Sequence, residues 1–361
     1  MNSKIFDTQD LKSFKRLIDS AQEIVLTCHV RPDGDAIGST LGLCLLLNAT
    51  GHHAVVVTPD LAPKSLSFVP GMKDVVAATK YPDYAKEKIA NADLIICCDF
   101  NKPYRQDALA PLIQEASCKK VLIDHHEDPD YFADITFSYP KMSSTCEVVF
   151  RLIAALGLYS ALDKDAATAL CTGLITDTRN FSVNCDNPET YEILMRLLEK
   201  GVDKQRIVKE ALETRSYDSL RLQSYALYEK LEVFPQHHAA VITLNMEELK
   251  RFGYERGDTE GVVNIPLEIR GVVYSFFLRE ETNMVKVSAR SVNGFPVNEI
   301  CSRYFGGGGH VMAAGGEYRD GDAETRLERC RKALINVMPE FDTKVRKTKP
   351  EKIVMPTRDK Q

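Results

Sequence analysis

Short unbroken apolar runs, each closed by an acid or an imidazole, dominate the first half of the chain. Residues 23–28, 92–99 and 119–126 follow this pattern, ending in Cys28-His29, Cys98-Asp99 and Asp124-His125-His126. No alternation of apolar and polar positions interrupts them, which predicts strands buried on both faces of a parallel sheet. Residues 53–58 form a further strand candidate after Gly51. Between the strands the spacing changes to that of helices: Leu11, Phe14, Leu17 and Ile18 share one face, and apolar stretches at 37–47, 84–91, 146–156 and 164–175 follow. Ser143-Ser144-Thr145 and Asp186-Asn187-Pro188-Glu189 have the chemistry of helix starts. Residues 61–74, with Pro63, Pro70 and Gly71, read as a loop. Strands alternating with helices predict an α/β domain.

The second half has a different texture. Residues 200–232 are charged and helical, and Leu220, Leu227 and Leu231 read as packing positions of a connector. After His237, strands are predicted at 239–245, 271–279 and 284–290, and helices at 296–304 and 323–337. Between those helices lie Gly306-Gly307-Gly308-Gly309-His310 and Ala313-Ala314-Gly315-Gly316. From residue 343 onward, seven Lys or Arg face two acids, which predicts a mobile basic tail that either solubilises or draws in nucleic acid. The expected division is a catalytic domain over 1–200, a helical connector over 201–235, a smaller α/β domain over 236–340 and a tail over 341–361.

A chain of 361 residues has room for two domains of ordinary size. The apolar share of 44% and charged share of 27% are those of a soluble protein. The net charge of -5 excludes a surface coated in phosphate-binding cations and leaves room for a local basic cleft. Residues 1–10 are polar and no apolar run reaches membrane-spanning length, so a cytoplasmic location without membrane contact is expected. Ten cysteines without a C-x-x-C pair, most of them in apolar segments, read as buried reduced thiols.

His29, Asp33, Asp35, Asp99, Asp124, His125, His126 and Asp177 are the chemistry-bearing residues of the first half. Parallel neighbouring strands bring their carboxyl ends to one sheet edge, where open α/β sheets bind ligands. Asp177 closes an apolar helix, where an acid opposes the helix dipole and favours a cationic partner. The donor set is rich in oxygen and imidazole and needs no thiolate, which suits Mn²⁺ or Mg²⁺. So many carboxylates repel each other without cations. Two ions about 3.5–4 Å apart would relieve that repulsion and support an in-line displacement at phosphorus. Ser144 reads as a helix cap and also as a phosphate contact at the helix N-terminus. Four successive glycines are costly to order, so a close backbone approach is expected at 306–309, with backbone N–H groups able to cradle a phosphate. Arg290, ending a strand nearby in sequence, is a candidate oxyanion clamp.

In combination, His29-x-x-x-Asp33-x-Asp35, the strand-end Asp99, Asp124-His125-His126 and Asp177 resemble the DHH phosphoesterases. Residues 259–264 (Thr-Glu-Gly-Val-Val-Asn), 287–291 (Val-Ser-Ala-Arg-Ser) and 306–310 resemble their carboxyl-terminal DHHA1 domain. Length and layout are most similar to the oligoribonuclease A subfamily, also called nano-RNase or pAp phosphatase. The resemblance implies a parallel-sheet DHH domain and a smaller DHHA1 domain with a substrate cleft between them. It implies two Mn²⁺, with Mg²⁺ the alternative: His29, Asp33 and Asp99 on one ion, and Asp35, Asp99, His125 and Asp177 on the other. Asp124 would orient a histidine, and His126 would face the scissile phosphate. Arg290, Gly307, Gly308, Gly309 and His310 would hold the substrate, joined by Asn264 and Ser144. The implied reaction is hydrolysis of oligoribonucleotides of about two to five nucleotides, linear dinucleotides such as pApA, and 3'-phosphoadenosine 5'-phosphate, releasing nucleoside monophosphates. A homodimer fits this picture. The rival readings are a RecJ-like single-strand exonuclease and a nucleotide-binding sensor without turnover. A family-II pyrophosphatase shares the metal chemistry, but the Gly306–His310 segment argues against it.

Overall fold

The computed structural model describes residues 5–355. The chain divides between Thr214 and Arg215 into two compact units. The first runs through α1 (Thr8–Ser20), β1 (Glu23–Thr27), α2 (Gly34–Ala49), β2 (His53–Thr58), β3 (Val76–Ala77), α3 (Pro82–Ala90), β4 (Leu94–Cys98) and α4 (Ala110–Glu115). It continues through β5 (Lys119–Asp124), β6 (Ile135–Ser138), α5 (Thr145–Ala155), α6 (Lys164–Asp177), α7 (Pro188–Glu199) and α8 (Lys204–Val208).

Its sheet is wholly parallel, in the order β3-β2-β1-β4-β5-β6. Both faces are covered, which is why the strands carry unbroken apolar runs. Ile24, Leu26, Ile96, Cys98, Val121 and Ile123 pack into one core with α1, α2, α5 and α6. Val25, Ile95, Cys97 and Leu122 turn to the other core, with Ala85 and Ile89 of α3 and Ile113 of α4. The expected strands are present. β3 and β6, which the sequence pattern did not single out, complete the sheet: β3 is only two residues long, and β6 follows a turn-rich segment.

Two features set the position of the site. The direction in which successive strands are added reverses between β1 and β4, so the connections after them diverge to opposite faces and leave a crevice at the carboxyl edge. Second, α2 and α6 pack at backbone distance. Gly34, Gly38 and Gly42 recur every fourth residue on α2, and a Cβ at Gly38 would lie 2.6 Å from the Ala169 carbonyl oxygen of α6. A Cβ at Gly34 would collide with the Thr176 side chain. This packing brings the start of α2, with Asp33 and Asp35, against the end of α6, with Asp177.

The second unit contains α9 (Tyr217–Tyr228), β7 (Leu231–Phe234), β8 (Ala239–Leu244), α10 (Met246–Arg251), β9 (Tyr274–Glu281) and β10 (Met284–Ser291). α11 (Val297–Tyr304), β11 (Gly308–His310), β12 (Ala313–Tyr318) and α12 (Arg326–Lys347) complete it. The sheet order is β11-β12-β10-β9-β8-β7, with β8 and β9 parallel and the other pairs antiparallel. Val285, Val287, Ala289, Phe276 and Leu278 pack with Ile300 and Cys301 of α11 and Leu334 and Phe341 of α12. Ile242, Leu244 and Phe277 pack on the other side with Leu222 and Ala226 of α9 and Leu249 of α10.

Three expectations differ from this structure. The connector over 201–235 is not a separate body: Ile207 is buried in the first core, and Leu222 and Ala226 in the second. The tail does not begin at 341. Pro339 reads as a stop, yet α12 continues through it to Lys347, because Phe341 and Val345 extend the buried stripe of Leu334, Val337 and Met338. Ile353 then packs with Ala240 and Val272; residues 356–361 lie outside the described residues. The glycine run is not wholly a loop, since residues 308–310 pair with β12 as a strand. All ten cysteines are free thiols. Among the described residues no helix is long and apolar enough to cross a membrane.

Candidate metal centre

The carboxyl edge of the first sheet gathers all eight residues singled out in the first half of the chain. His29 follows β1, Asp99 follows β4, Asp124 ends β5, and His125 and His126 come next. Asp33 caps α2, Asp35 sits in its first turn, and Asp177 ends α6. Asp99 adopts a left-handed backbone conformation, with φ at 65°. That conformation is costly for a side chain other than glycine and is least so for Asp or Asn.

The donors fall into groups that share Asp99. The His29 Nε2 lies 3.3 Å from Asp99 Oδ2 and 3.8 Å from Oδ2 of the exposed Asp33. The His125 Nε2 lies 3.4 Å from Asp177 Oδ2, 3.7 Å from Asp99 Oδ1 and 3.8 Å from Asp35 Oδ2. The two oxygens of Asp99 thus face different histidines. His126 belongs to a third group with Asp99 and Asp124. Its Nδ1 is 2.7 Å from Asp124 Oδ1, and its backbone N–H donates to Asp124 Oδ2 at 3.1 Å.

Backbone contacts fix the imidazole rings. His29 Nδ1 lies 2.8 Å from the Val30 carbonyl and His125 Nδ1 lies 3.3 Å from the Met142 carbonyl. A carbonyl can only accept, so Nδ1 carries a proton in both rings, and Nε2, facing the carboxylates, is the nitrogen that takes a second proton or an ion. The Val30 N–H in turn donates to the Arg105 carbonyl at 2.6 Å, which ties the β1 loop to the segment after Asp99.

The carboxylates are crowded and mostly buried. Burial pushes Asp177 up to about 7, with Asp99 and Asp33 adding to the rise and His125 opposing it. Burial raises Asp35 well above the usual carboxylate range, and Asp99 and Asp177 add to it. Burial would also raise Asp99, but its hydrogen bond with His29 and the charges of His126, His29 and His125 outweigh it and hold Asp99 well below that range. Burial opposes protonation of His125, yet Asp177, Asp35, Asp99 and Asp124 raise it to about 9. The cluster without cations therefore keeps protons as substitutes for positive charge. Its oxygen and imidazole donors, with one set around His29 and Asp33, another around Asp35, His125 and Asp177, and Asp99 beside both histidines, fit hard or borderline divalent ions.

Some of the machinery was not legible as such in the sequence. Thr145 N–H and Cys146 N–H donate to Asp35 Oδ2 and Oδ1 at 2.6 and 2.9 Å, and the Thr145 hydroxyl donates to Asp99 Oδ1 at 3.0 Å. The anion at this helix start is the chain's own Asp35, where the sequence reading places a phosphate. Ser144 is fully buried, and its hydroxyl accepts from Glu147 N–H at 3.1 Å. The structure thus uses Ser144 as a cap, and its expected contact with substrate has no support in this geometry.

In the second unit, His310, Ala313, Arg290 and Ser275 form one row across β11, β12, β10 and β9. Members of a row project to the same face. Arg290 and His310 therefore share a face, separated by a small alanine. Arg290 Nη1 also donates to the Ala289 carbonyl at 2.9 Å. The Ser275 hydroxyl donates to the Val263 carbonyl, which holds the turn carrying Asn264 against that side. The close approach expected at the glycines is internal. A Cβ at Gly307 would collide with the Gly315 carbonyl oxygen, and one at Gly309 would lie 2.5 Å from that of Ala313. A Cβ at Gly308 would meet open space.

Residues 23–174 match the DHH family, N-terminal domain, and residues 238–340 match the DHHA1 domain. The bifunctional oligoribonuclease and PAP phosphatase NrnA of Thermus thermophilus is 31% identical over 86% of this chain and 89% of its own length. An exopolyphosphatase-related protein from Bacteroides fragilis, solved by crystallography, is 39% identical with a TM-score of 0.90, covering 95% of this chain and 99% of that one. RecJ from Thermus thermophilus, solved with Mn²⁺, shares the fold at 14% identity and a TM-score of 0.55, covering 93% of this chain and 56% of that one. DHH phosphoesterases are metal-dependent hydrolases of phosphoester bonds, and this chain, with both domains and the clustered Asp and His donors in place, belongs to that family.

Proposed function

We propose that the chain hydrolyses short oligoribonucleotides of about two to five nucleotides, linear dinucleotides such as pApA, and 3'-phosphoadenosine 5'-phosphate, releasing nucleoside monophosphates. The observation that carries the reading is that the two oxygens of Asp99 face different histidines, Oδ2 toward His29 and Oδ1 toward His125. Its likeness to the Thermus oligoribonuclease and PAP phosphatase over most of both chains supports the substrate class. His29, Asp33 and Asp99 would hold one Mn²⁺, and Asp35, Asp99, His125 and Asp177 the other, with Mg²⁺ able to substitute. Bound there, the ions would supply positive charge to the phosphoryl oxygens and acidify water.

The side chains around them have separate tasks. Asp124 accepts the His126 Nδ1 proton and sets that ring's orientation. His126 then presents Nε2 to the phosphoryl group, where it donates a hydrogen bond when protonated or passes a proton to the departing oxygen. Arg290 and His310, on one row of the second sheet, grip the substrate's other phosphate or its sugar, and Asn264 joins them. Gly308, where a Cβ would meet open space, is the glycine suited to a close substrate contact.

The test is a product time course with Mn²⁺ on end-labelled RNA of two, five and about two dozen nucleotides, beside pApA and 3'-phosphoadenosine 5'-phosphate. Rapid release of monophosphates from the short species, with the long strand nearly intact, is expected. Stepwise shortening of the long strand would replace this reading with a RecJ-like exonuclease. Metal loading without turnover on any substrate would replace it with a nucleotide sensor.

A further inference from the structure

The first turn of α5 touches two carboxylates of the cluster, Asp35 and Asp99. Thr145 contacts each through a different atom: its N–H donates to Asp35 Oδ2 at 2.6 Å and its hydroxyl donates to Asp99 Oδ1 at 3.0 Å. All three residues are buried. The hydroxyl acts on one side of Asp99 only. Oδ1 is the oxygen 3.7 Å from His125, whereas Oδ2 is the one 3.3 Å from His29.

A buried polar network holds that turn. Glu147 Oε2 accepts from the Ser143 hydroxyl at 2.5 Å and from the Thr190 hydroxyl at 2.9 Å. Glu147 Oε1 accepts from Arg151 Nε and Nη2 at 3.0 and 2.6 Å, and Arg151 Nη1 reaches Glu189 at the start of α7. Glu147 and Arg151 are almost wholly inaccessible. A charge pair this deep is retained only with its hydrogen bonds satisfied, and here they are. Glu147 stands in the same first turn, two residues beyond Thr145, so the pair fixes the helix start rather than the sheet.

We propose that Thr145 is a positioning residue that adjusts the two ion sites unequally, by holding Asp99 Oδ1 in line with His125, Asp35 and Asp177. The inference rests on the two-ion reading above. A hydrogen bond to a ligating carboxylate fixes which direction its remaining lone pair takes. Removing the Thr145 hydroxyl takes its hydrogen bond away from Oδ1, while the His29 contact at Oδ2 stays to hold the carboxylate. The oxygen facing Asp35, His125 and Asp177 then loses its fixed direction, and the one facing His29 and Asp33 keeps its own.

Thr145→Val removes the hydroxyl, keeps the backbone N–H to Asp35 and preserves side-chain shape; Thr145→Ser restores the hydroxyl. The full-length proteins are stripped with chelator and titrated with Mn²⁺ by calorimetry, and the bound ions are examined by electron paramagnetic resonance. The wild type is expected to bind two ions with a spin-coupled signal. In T145V the weaker step should lose about tenfold or more in affinity while the other changes by less than about twofold, and the coupled signal should fade at sub-saturating metal. T145S should recover both. Two wild-type ions with equal affinities in T145V overturn the Thr145 role alone, as does an equal loss at both steps. A wild type that holds a single ion overturns the two-ion reading, and this inference with it.

Discussion

At the residue scale, the protons held by the ligand cluster predict how it loads. With His125 raised to about 9 and Asp177 to about 7, a chain near neutral pH carries a proton on His125 and part of one on Asp177. A metal ligand must give up its proton. Because both values are raised, protons compete with the ion more strongly as pH falls. Mn²⁺ affinity should therefore rise with pH from about 6 to 9 and level off above the His125 value. Calorimetry near pH 7 in two buffers of different ionisation heat should show net release of about one proton or more. Affinity independent of pH across this window would remove His125 from the ligand set. The donors were legible in the sequence because they close an apolar run or, as with Asp33 and Asp35, open one, and a charge in that position announces itself. Thr145, the Met142 carbonyl and the Arg105 carbonyl were not, because their roles pass through backbone atoms or a hydroxyl that reads as a helix cap.

At the scale of elements, the contact between α2 and α6 sets the distance from Asp35 to Asp177. Glycine costs about 1 kcal/mol relative to alanine inside a helix, so three on one face of α2 have to be offset by the packing they allow. Gly173 of α6 completes the contact, since a Cβ there would collide with the Cys146 sulfur and lie 2.8 Å from Asp35 Oδ1. Gly38→Val should force the helices apart and destabilise the chain by about 1–3 kcal/mol. Thermal unfolding followed by circular dichroism should fall by several degrees, and Mn²⁺ affinity should fall with it. An unchanged midpoint would show that the helices can part without cost. The helices themselves follow from periodicity, but their closeness does not: small residues spaced by four become informative only once the partner helix is known. Strand β11 shows the converse case, in which Gly308 and Gly309 pair with β12 as a strand, and at 309 only a glycine fits against the Ala313 carbonyl.

At the scale of the whole molecule, the proposed metal ligands and the Arg290–His310 row belong to separate compact units. His310→Ala should therefore raise KM for the dinucleotide by about tenfold or more, the loss of one or more kcal/mol of binding, with bound manganese per chain unchanged. Equal loss of manganese would end that division of labour. The two-unit plan was legible from the change in texture near residue 237, whereas the boundary was not. Charged helices look alike whichever core they serve, and only burial of Ile207 in one and Leu222 in the other separates them.

The strand order also dictates what can happen while the chain is being made. β1 lies at the centre of its sheet and emerges first, with β2 and β3 to close one side soon after. Its other neighbour, β4, arrives only after α3, and the end of α6 later still. Domains fold as units during synthesis, at about 5–20 residues per second. For several seconds a nascent chain thus displays an unpaired, apolar β1 edge, and the cluster cannot be complete before Asp177 leaves the ribosome. Completion of the donor cluster is consequently a late event in the birth of the first unit, following the last strand of a sheet whose central strand was the first one made.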